Sequence, residues 1–208
     1  MILVCFAVAQ EAAPFLEVAP PRARVLVTGM GRIAARHAVE KALAKERPEF
    51  LLTSGFAGGL NPALETGAVL HAAAGLPVIQ GALQDAGARA GQFYGTDRVV
   101  CSRAEKARLW TGTGADAVEM ESAHIEEVCR RSGIGCATIR VILDPAGEDL
   151  PLDFNRVMGP DQRMAPLKLA QALARKPSLL PRLLRLGRQS RVAAQILARV
   201  LARVTSSP

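Results

Sequence analysis

The sequence predicts an α/β domain built on a mostly parallel sheet. Three observations lead there. Short apolar runs, each the length of one buried strand, alternate with segments whose alanines or aliphatic residues recur at helical spacing. Glycine-rich turns follow two of these runs. The chain has 208 residues, half of them apolar and 22% charged, which is enough for one sizeable core and too apolar for a disordered chain. Aromatic residues make up only 4%, so that core must be aliphatic.

Taken in order, residues 2–9 form an apolar run that reads as a buried first strand. A helix is expected over 12–17, stopped by Pro20 and Pro21. Residues 24–28 read as a second strand, which ends in Gly29-Met30-Gly31 and opens a long helix over 33–45 with alanines on one face. A third strand, 50–53, ends in the glycine-rich stretch Ser54-Gly55-Phe56-Ala57-Gly58-Gly59. Further strands are predicted at 67–74, 76–79 and 98–101. Residues 119–131 are helical, with Val118, Ser122, Ile125 and Cys129 near one stripe. A strand over 135–143 leads into a polar loop that reaches Asp161. Strands alternating with helices give layers around a parallel sheet, and such sheets bind ligands at the carboxyl ends of their strands. The loops after Thr28, Thr53 and Leu143 would lie there together.

Composition excludes several functions. The net charge of +7 is unevenly spread: after residue 161 there are ten bases and no acid, whereas the body carries 16 bases against 19 acids. A nucleic-acid binder would show bases across its folded surface, so none is expected as a partner. Cys5, Cys101, Cys129 and Cys136 lie far apart without a C-x-x-C pair, which reads as reduced cysteine in a cytoplasmic protein. His37, His71 and His124 share no metal-ligand spacing, so neither a metal site nor a bound cofactor is expected. Residues 1–10 lack a positive n-region and read as a strand, not a signal peptide. No apolar run reaches the roughly 18–20 residues of a membrane span.

Five motifs carry candidate chemistry. Gly29-Met30-Gly31-Arg32-Ile33-Ala34 fits a dinucleotide fingerprint. However, it follows the second strand, and Glu49 precedes the next one, where a ribose-binding acid should follow it. A tight strand–helix turn explains it as well. The glycines from Gly55 to Gly59 allow close approach of a ligand, or simply a tight loop. In Val118-Glu119-Met120-Glu121-Ser122, two carboxylates sit beside an apolar stretch, and one of them can be a dipole-complementing acid. Asp144 ends a very apolar strand that also carries Arg140. Burial would make it a proton donor, while an Arg140–Asp144 or Arg140–Glu121 ion pair is the bland alternative. Glu11 follows the first strand and can be no more than a first-turn acid.

Together, and in this order, these pieces resemble the purine nucleoside phosphorylase and methylthioadenosine/S-adenosylhomocysteine nucleosidase superfamily. The matching stretches are Ala7-Val8-Ala9-Gln10-Glu11, Thr28 to Ala35, Thr53 to Leu60, Val118 to Ser122, and Arg140-Val141-Ile142-Leu143-Asp144. The resemblance implies a three-layer α-β-α fold for residues 1–160. It implies that Asp144 protonates the purine at N7, that Glu121 and Met120 hold ribose with Arg140 orienting Glu121, and that Glu11 activates water. It also implies a homo-oligomer. The chemistry suits these residue types: the base leaves with negative charge and the sugar becomes cationic, so one carboxyl must be protonated and another ionised.

The chain departs from the family's patterns. Hexameric phosphorylases carry an arginine and a serine for phosphate in the glycine loop, where this chain has Thr53 and Phe56. Leu143 replaces the small polar residue that usually precedes the acid in nucleosidases. Inorganic phosphate stays open as a co-substrate, held by Gly29, Gly31, Arg32, Gly55, Phe56, Ala57 and Gly58. The stretch between Gly67 and Gly114 is short for the family, which implies an open mouth.

Residues 161–208 read as a basic amphipathic helical tail, divided by Pro177 and Pro181. Arg188, Arg191, Gln195, Arg199 and Arg203 share one side, and Ala193, Ile196, Leu197, Val200, Leu201 and Val204 the other. Such a helix packs on its own domain or lies on an anionic membrane surface. The tail, the open mouth and the stretch Asp144-Pro145-Ala146-Gly147-Glu148-Asp149-Leu150-Pro151 are similar to the hopanoid-associated phosphorylase subfamily. That likeness implies release of adenine from adenosylhopane to leave ribosylhopane, with the enzyme peripheral on the inner membrane face. The alternatives are a soluble methylthioadenosine/S-adenosylhomocysteine or futalosine-type nucleosidase, and a non-catalytic nucleoside-binding or membrane-surface protein.

Overall fold

The first strand shows how an unbroken apolar run becomes the middle of a layered domain. In the computed structural model, which describes residues 1–159 and 164–206, β1 (Ile2–Phe6) is buried along its whole length. Alternate side chains of a strand point to opposite faces. Accordingly Ile2, Val4 and Phe6 join one hydrophobic cluster, and Leu3 and Cys5 another. The chain continues through α1 (Ala9–Leu16), β2 (Ala23–Val27), α2 (Arg32–Leu43), β3 (Phe50–Gly59), β4 (Val69–Ala72), α3 (Pro77–Asp85), β5 (Arg89–Ala90) and β6 (Phe93–Gly95). It ends with α4 (Arg103–Thr113), β7 (Ala117–Glu119), α5 (Ser122–Arg131), β8 (Gly135–Asp144), α6 (Phe154–Val157), α7 (Pro166–Arg175) and α8 (Leu179–Ser206).

The sheet runs β2-β1-β3-β8-β4-β5, with β7 pairing β3 and β6. The pairs β1–β2, β1–β3 and β3–β8 are parallel, and β4 runs antiparallel to β8. One face is covered by α1, α3 and α8, and the other by α2 and α5. This is the expected three-layer architecture with a mostly parallel sheet, and the carboxyl ends of β1, β3 and β8 gather at one edge.

Several expected elements differ. The third strand does not stop at 53 but runs on to Gly59, because β8 pairs with it throughout. The glycines of 55–59 are therefore strand residues, not a loop. Residues 76–79 open helix α3: Pro77 stands in its first turn, where a missing N–H costs nothing, and Ile79 and Leu83 bury one face four residues apart. Residues 98–101 form no strand; the side chain of Asn155 bonds both the N–H and the carbonyl of Val99 and takes the place of a neighbouring strand. The expected helix over 119–131 gives up its start to β7, which pairs antiparallel with Gly58 and Gly59. The signals for α4, β5 and β6 are weak: α4 buries only Lys106, and β5 is two exposed residues.

The expected boundary between residues 160 and 161 lies outside the described residues. Beyond it, α8 has two characters. Its C-terminal half buries Ala193, Leu197, Ala198, Val200, Leu201 and Val204 in the same cluster as β1 and α1. Its N-terminal half leaves Leu180 and Leu184 at least half exposed, and α7 buries nothing, with Leu167 71% exposed. No helix among the described residues is long and apolar enough to cross a membrane.

Candidate active site

The strand ends open onto a cavity of about 300 Å³. Glu11, Met120, Glu121 and Asp144 line it together, with Phe56, Ala57 and Gly58. The three predicted acids, Glu11, Glu121 and Asp144, drawn from three separate parts of the sequence, thus share one cavity.

Glu11 sits at the start of α1, where the chain leaves β1. Its Oε2 accepts the N–H groups of Ala7 (3.1 Å) and Val8 (3.3 Å), and its Oε1 accepts that of Phe56 (2.9 Å). Burial pushes its carboxyl up to about 7, against the pull of the Phe56 amide and of Arg140. Room for it comes from Gly55: a Cβ there would lie 2.9 Å from Glu11 Oε1 and 3.1 Å from an Arg140 nitrogen.

Arg140 is fully buried in β8 and serves three partners on the α5 side of the sheet. It donates to Glu119 Oε2 (2.8 Å), Ser122 Oγ (2.9 Å) and Thr53 Oγ1 (3.2 Å). Its distance to Glu121 is 3.9 Å, so the expected Arg140–Glu121 pairing is the looser contact and Glu119 is the principal partner. Burial alone would raise the Glu119 carboxyl, but Arg140 and the amides of Ser122 and Glu121 outweigh it and hold it below the usual range. Glu119 thereby neutralises Arg140 and leaves Glu121 less constrained. Glu121 Oε1 accepts the Gly31 N–H (2.9 Å), and burial raises its carboxyl.

Asp144 is set by a bulge. The β3–β8 register passes from Ala57 opposite Ile142 to Gly58 opposite Asp144, so Leu143 is the extra residue. Bulges re-aim side chains next to functional sites, and a Cβ on Gly58 would reach to 3.4 Å from Asp144 Oδ2. Burial pushes Asp144 up to about 6, against the pull of Lys106, whose Nζ lies 2.6 Å from Oδ2. The Arg140–Asp144 ion pair weighed on sequence grounds does not form: Arg140 faces Glu119 and Glu121, and the cation beside Asp144 is Lys106.

The expected phosphate loop divides. Phe56, Ala57 and Gly58 line the cavity, whereas Gly29, Gly31, Arg32 and Gly55 do not. Gly31 gives its N–H to Glu121, and exposed Arg32 pairs with Asp97 at 2.8 Å. Positive φ at Gly29 (86°) and Gly31 (81°) explains these glycines as a tight strand–helix turn. Sequence reasoning missed Lys106, Phe154 and Leu186, and named Ser122 only within its motif. Lys106 left no signal, being one lysine in a polar helix, and the other two became recognisable only once the chain was folded.

Three comparisons bear on this arrangement. The family profile described as "Phosphorylase superfamily" matches residues 74–175. Aminodeoxyfutalosine nucleosidase of Campylobacter jejuni is 29% identical, covering 61% of this chain and 69% of that one. Among solved structures, the 5′-methylthioadenosine/S-adenosylhomocysteine nucleosidase of C. jejuni superposes with a TM-score of 0.71 at 19% identity over 99% of each chain. The futalosine hydrolase of Helicobacter pylori gives 0.70 at 18% identity over 99% of this chain and 97% of its own. These structural likenesses concern the fold. The family profile and the curated relative show what the chain is similar to, the phosphorylase superfamily.

Proposed function

We propose that the chain cleaves the N-glycosidic bond of a purine ribonucleoside and releases adenine, with water as the attacking group. The observation that carries this is one cavity holding two buried carboxyls, Glu11 and Asp144, each raised toward neutrality by burial. Groups poised near neutral pH suit proton transfer. The apolar lining from Val100, Val118, Leu143 and Phe154 suits a flat purine.

The reaction balances as follows. Asp144 gives its proton to purine N7 while the C1′–N9 electron pair moves onto the base. The ribosyl cation is faced by Glu121 and Met120. Water adds its oxygen to C1′ and yields a proton to Glu11. Solvent then restores the proton on Asp144 and removes the one on Glu11. Water is favoured over phosphate because the amides of Ala7, Val8 and Phe56 already hold the Glu11 carboxylate, and a second anion there would be repelled. Chromatographic detection of adenine, with and without phosphate, tests this: release independent of phosphate is expected, and release only with phosphate overturns the hydrolytic form.

At the 5′ position the finer reading is a lipid-linked nucleoside, adenosylhopane giving ribosylhopane at a membrane surface. It is supported by the exposed leucines of α7 and of the first half of α8, among Lys168, Arg175, Lys176, Arg182, Arg185 and Arg188, and by Leu186 and Ser190 of α8 reaching the cavity. Removing the chain beyond 161 would strip Leu197 and Leu201 from the core, so the test uses the full chain. Sedimentation with anionic vesicles, lost in the R182E/R185E/R188E variant, is expected; equal binding to zwitterionic vesicles or none sinks the membrane reading. The curated relative favours a second reading, a futalosine-type or methylthioadenosine-type nucleosidase, and faster turnover of small 5′ substituents would select it.

A further inference from the structure

Lys106 has the burial and contacts of a functional residue. It is the sole buried residue of α4, and its side chain is 0% exposed. Its Nζ donates to the carbonyls of Pro145 (2.8 Å), Glu148 (3.0 Å) and Asp144 (3.3 Å), and stands 2.6 Å from Asp144 Oδ2. A lysine has three N–H donors, and here every one is turned toward the short segment 144–148. Lysines are almost never fully buried unless paired, so α4 spends its one buried position on the acid's side of the cavity. The helix is anchored there by Ser102 at its N-cap and by Leu109 and Trp110 against Leu60 and Val118.

We infer that Lys106 is a positioning residue for the proton donor: it locks the turn after β8 around the Asp144 carboxyl and favours the carboxylate left behind when the proton moves to the purine. The inference rests on Asp144 being that donor. The ground state carries a neutral acid beside the ammonium, and proton transfer converts that contact into an ion pair. The interaction is therefore stronger after transfer than before it, as differential stabilisation of a transition state requires. No bond forms or breaks at Lys106, which keeps its proton throughout.

Other charges face Asp144 as well. Glu148 lies on its own turn and opposes Lys106. Glu11, Glu119, Glu121 and Arg98 share the nucleoside cavity. Arg103, Asp149, Arg182 and Arg185 line a neighbouring pocket that also reaches Asp144. Of all these, Lys106 alone is in salt-bridge contact with Asp144, so its removal should dominate the acid's response. Losing the ammonium raises the carboxyl's affinity for its proton.

The test is the pH–rate profile of K106M, with K106R as the charge-keeping control. K106M should lower the maximal rate roughly tenfold or more and move the pH optimum up by about half a unit or more, since a vanished neighbouring cation shifts a carboxyl by roughly 1–3 units and the optimum moves by half the shift. K106R should restore the wild-type optimum. A slower K106M with an unmoved optimum overturns the inference and leaves Lys106 as scaffolding. K106Q, which can still bond the 145 and 148 carbonyls, serves the same test if K106M does not fold. D144N separates the two claims: an active D144N sinks the proton-donor reading, whereas an inactive D144N with an unmoved K106M optimum sinks this inference alone.

Discussion

The two ends of the cavity hold their carboxyls by different means. Glu11 is gripped by three backbone amides, a rigid cradle with no side chain in it. Asp144 is held by one side-chain ammonium and a strand bulge. Both are buried and both are raised, Glu11 to about 7 and Asp144 to about 6. Amide dipoles only partly offset burial at Glu11, which leaves it the basicity that the proposed role of base toward water needs. The ammonium beside Asp144 likewise offsets burial only in part, and in the proposed reaction it favours the carboxylate left behind by donation. In the proposed reaction these two carboxyls of one cavity take opposite tasks, one as acid and one as base.

The largest test of this contrast removes the donor. D144N should cut adenine release by roughly 10²–10⁴-fold or more with an unchanged circular dichroism spectrum; near-normal release would end the assignment. E11Q should lose a comparable amount, and because it leaves Asp144 intact, its residual rate should still fall at high pH. Next, G55A should slow turnover by up to roughly 10²-fold, because the new methyl pushes on a carboxylate that its amides cannot release. Unimpaired turnover by G55A would mean the cradle can give way.

The pH profile is the next test. Glu11 must be ionised and Asp144 protonated. Below about 6, Asp144 keeps its proton and the rate climbs about tenfold per pH unit as Glu11 ionises. Above about 7, Glu11 is ionised and the rate falls as steeply while Asp144 empties. A flat maximum between the two is expected, and a rate still climbing at pH 9 would reverse the roles. The smallest effect belongs to R32A, at less than about twofold, since Arg32 is an exposed pair with Asp97 outside the cavity. A large loss, accompanied by phosphate dependence, would restore Arg32 as a phosphate ligand.

Much of the fold was legible where local chemistry was decisive. The run from Ile2 is apolar at every position and became a central strand, and the alanine-rich segment after Gly31 became α2. The glycine stretch misled, because glycines that make room for Glu11 and Asp144 look locally like a loop. At 119–131, pairing of β7 with β3 and β6 turned the first expected helical residue, Glu119, into a strand end, and the helix starts only at Ser122. The acids themselves were legible because ionisable groups beside apolar strand ends are rare. Their partners were not: Glu119 and Glu121 are two residues apart, and only the position of Arg140 across the sheet decides which of them it neutralises.

By itself the sequence determined the strand–helix alternation and the aliphatic core, since both follow from burying apolar surface with a period of two or about three and a half. The four candidate side chains of the cavity were named from motifs beside apolar strand ends and from a family resemblance. Tertiary structure alone decided that Lys106 stands against Asp144, that the two halves of α8 part between core and surface, and that the Glu11 carboxylate fills the amide cradle. Those outcomes depend on distances between segments far apart in the chain, and no local preference of a residue encodes such a distance.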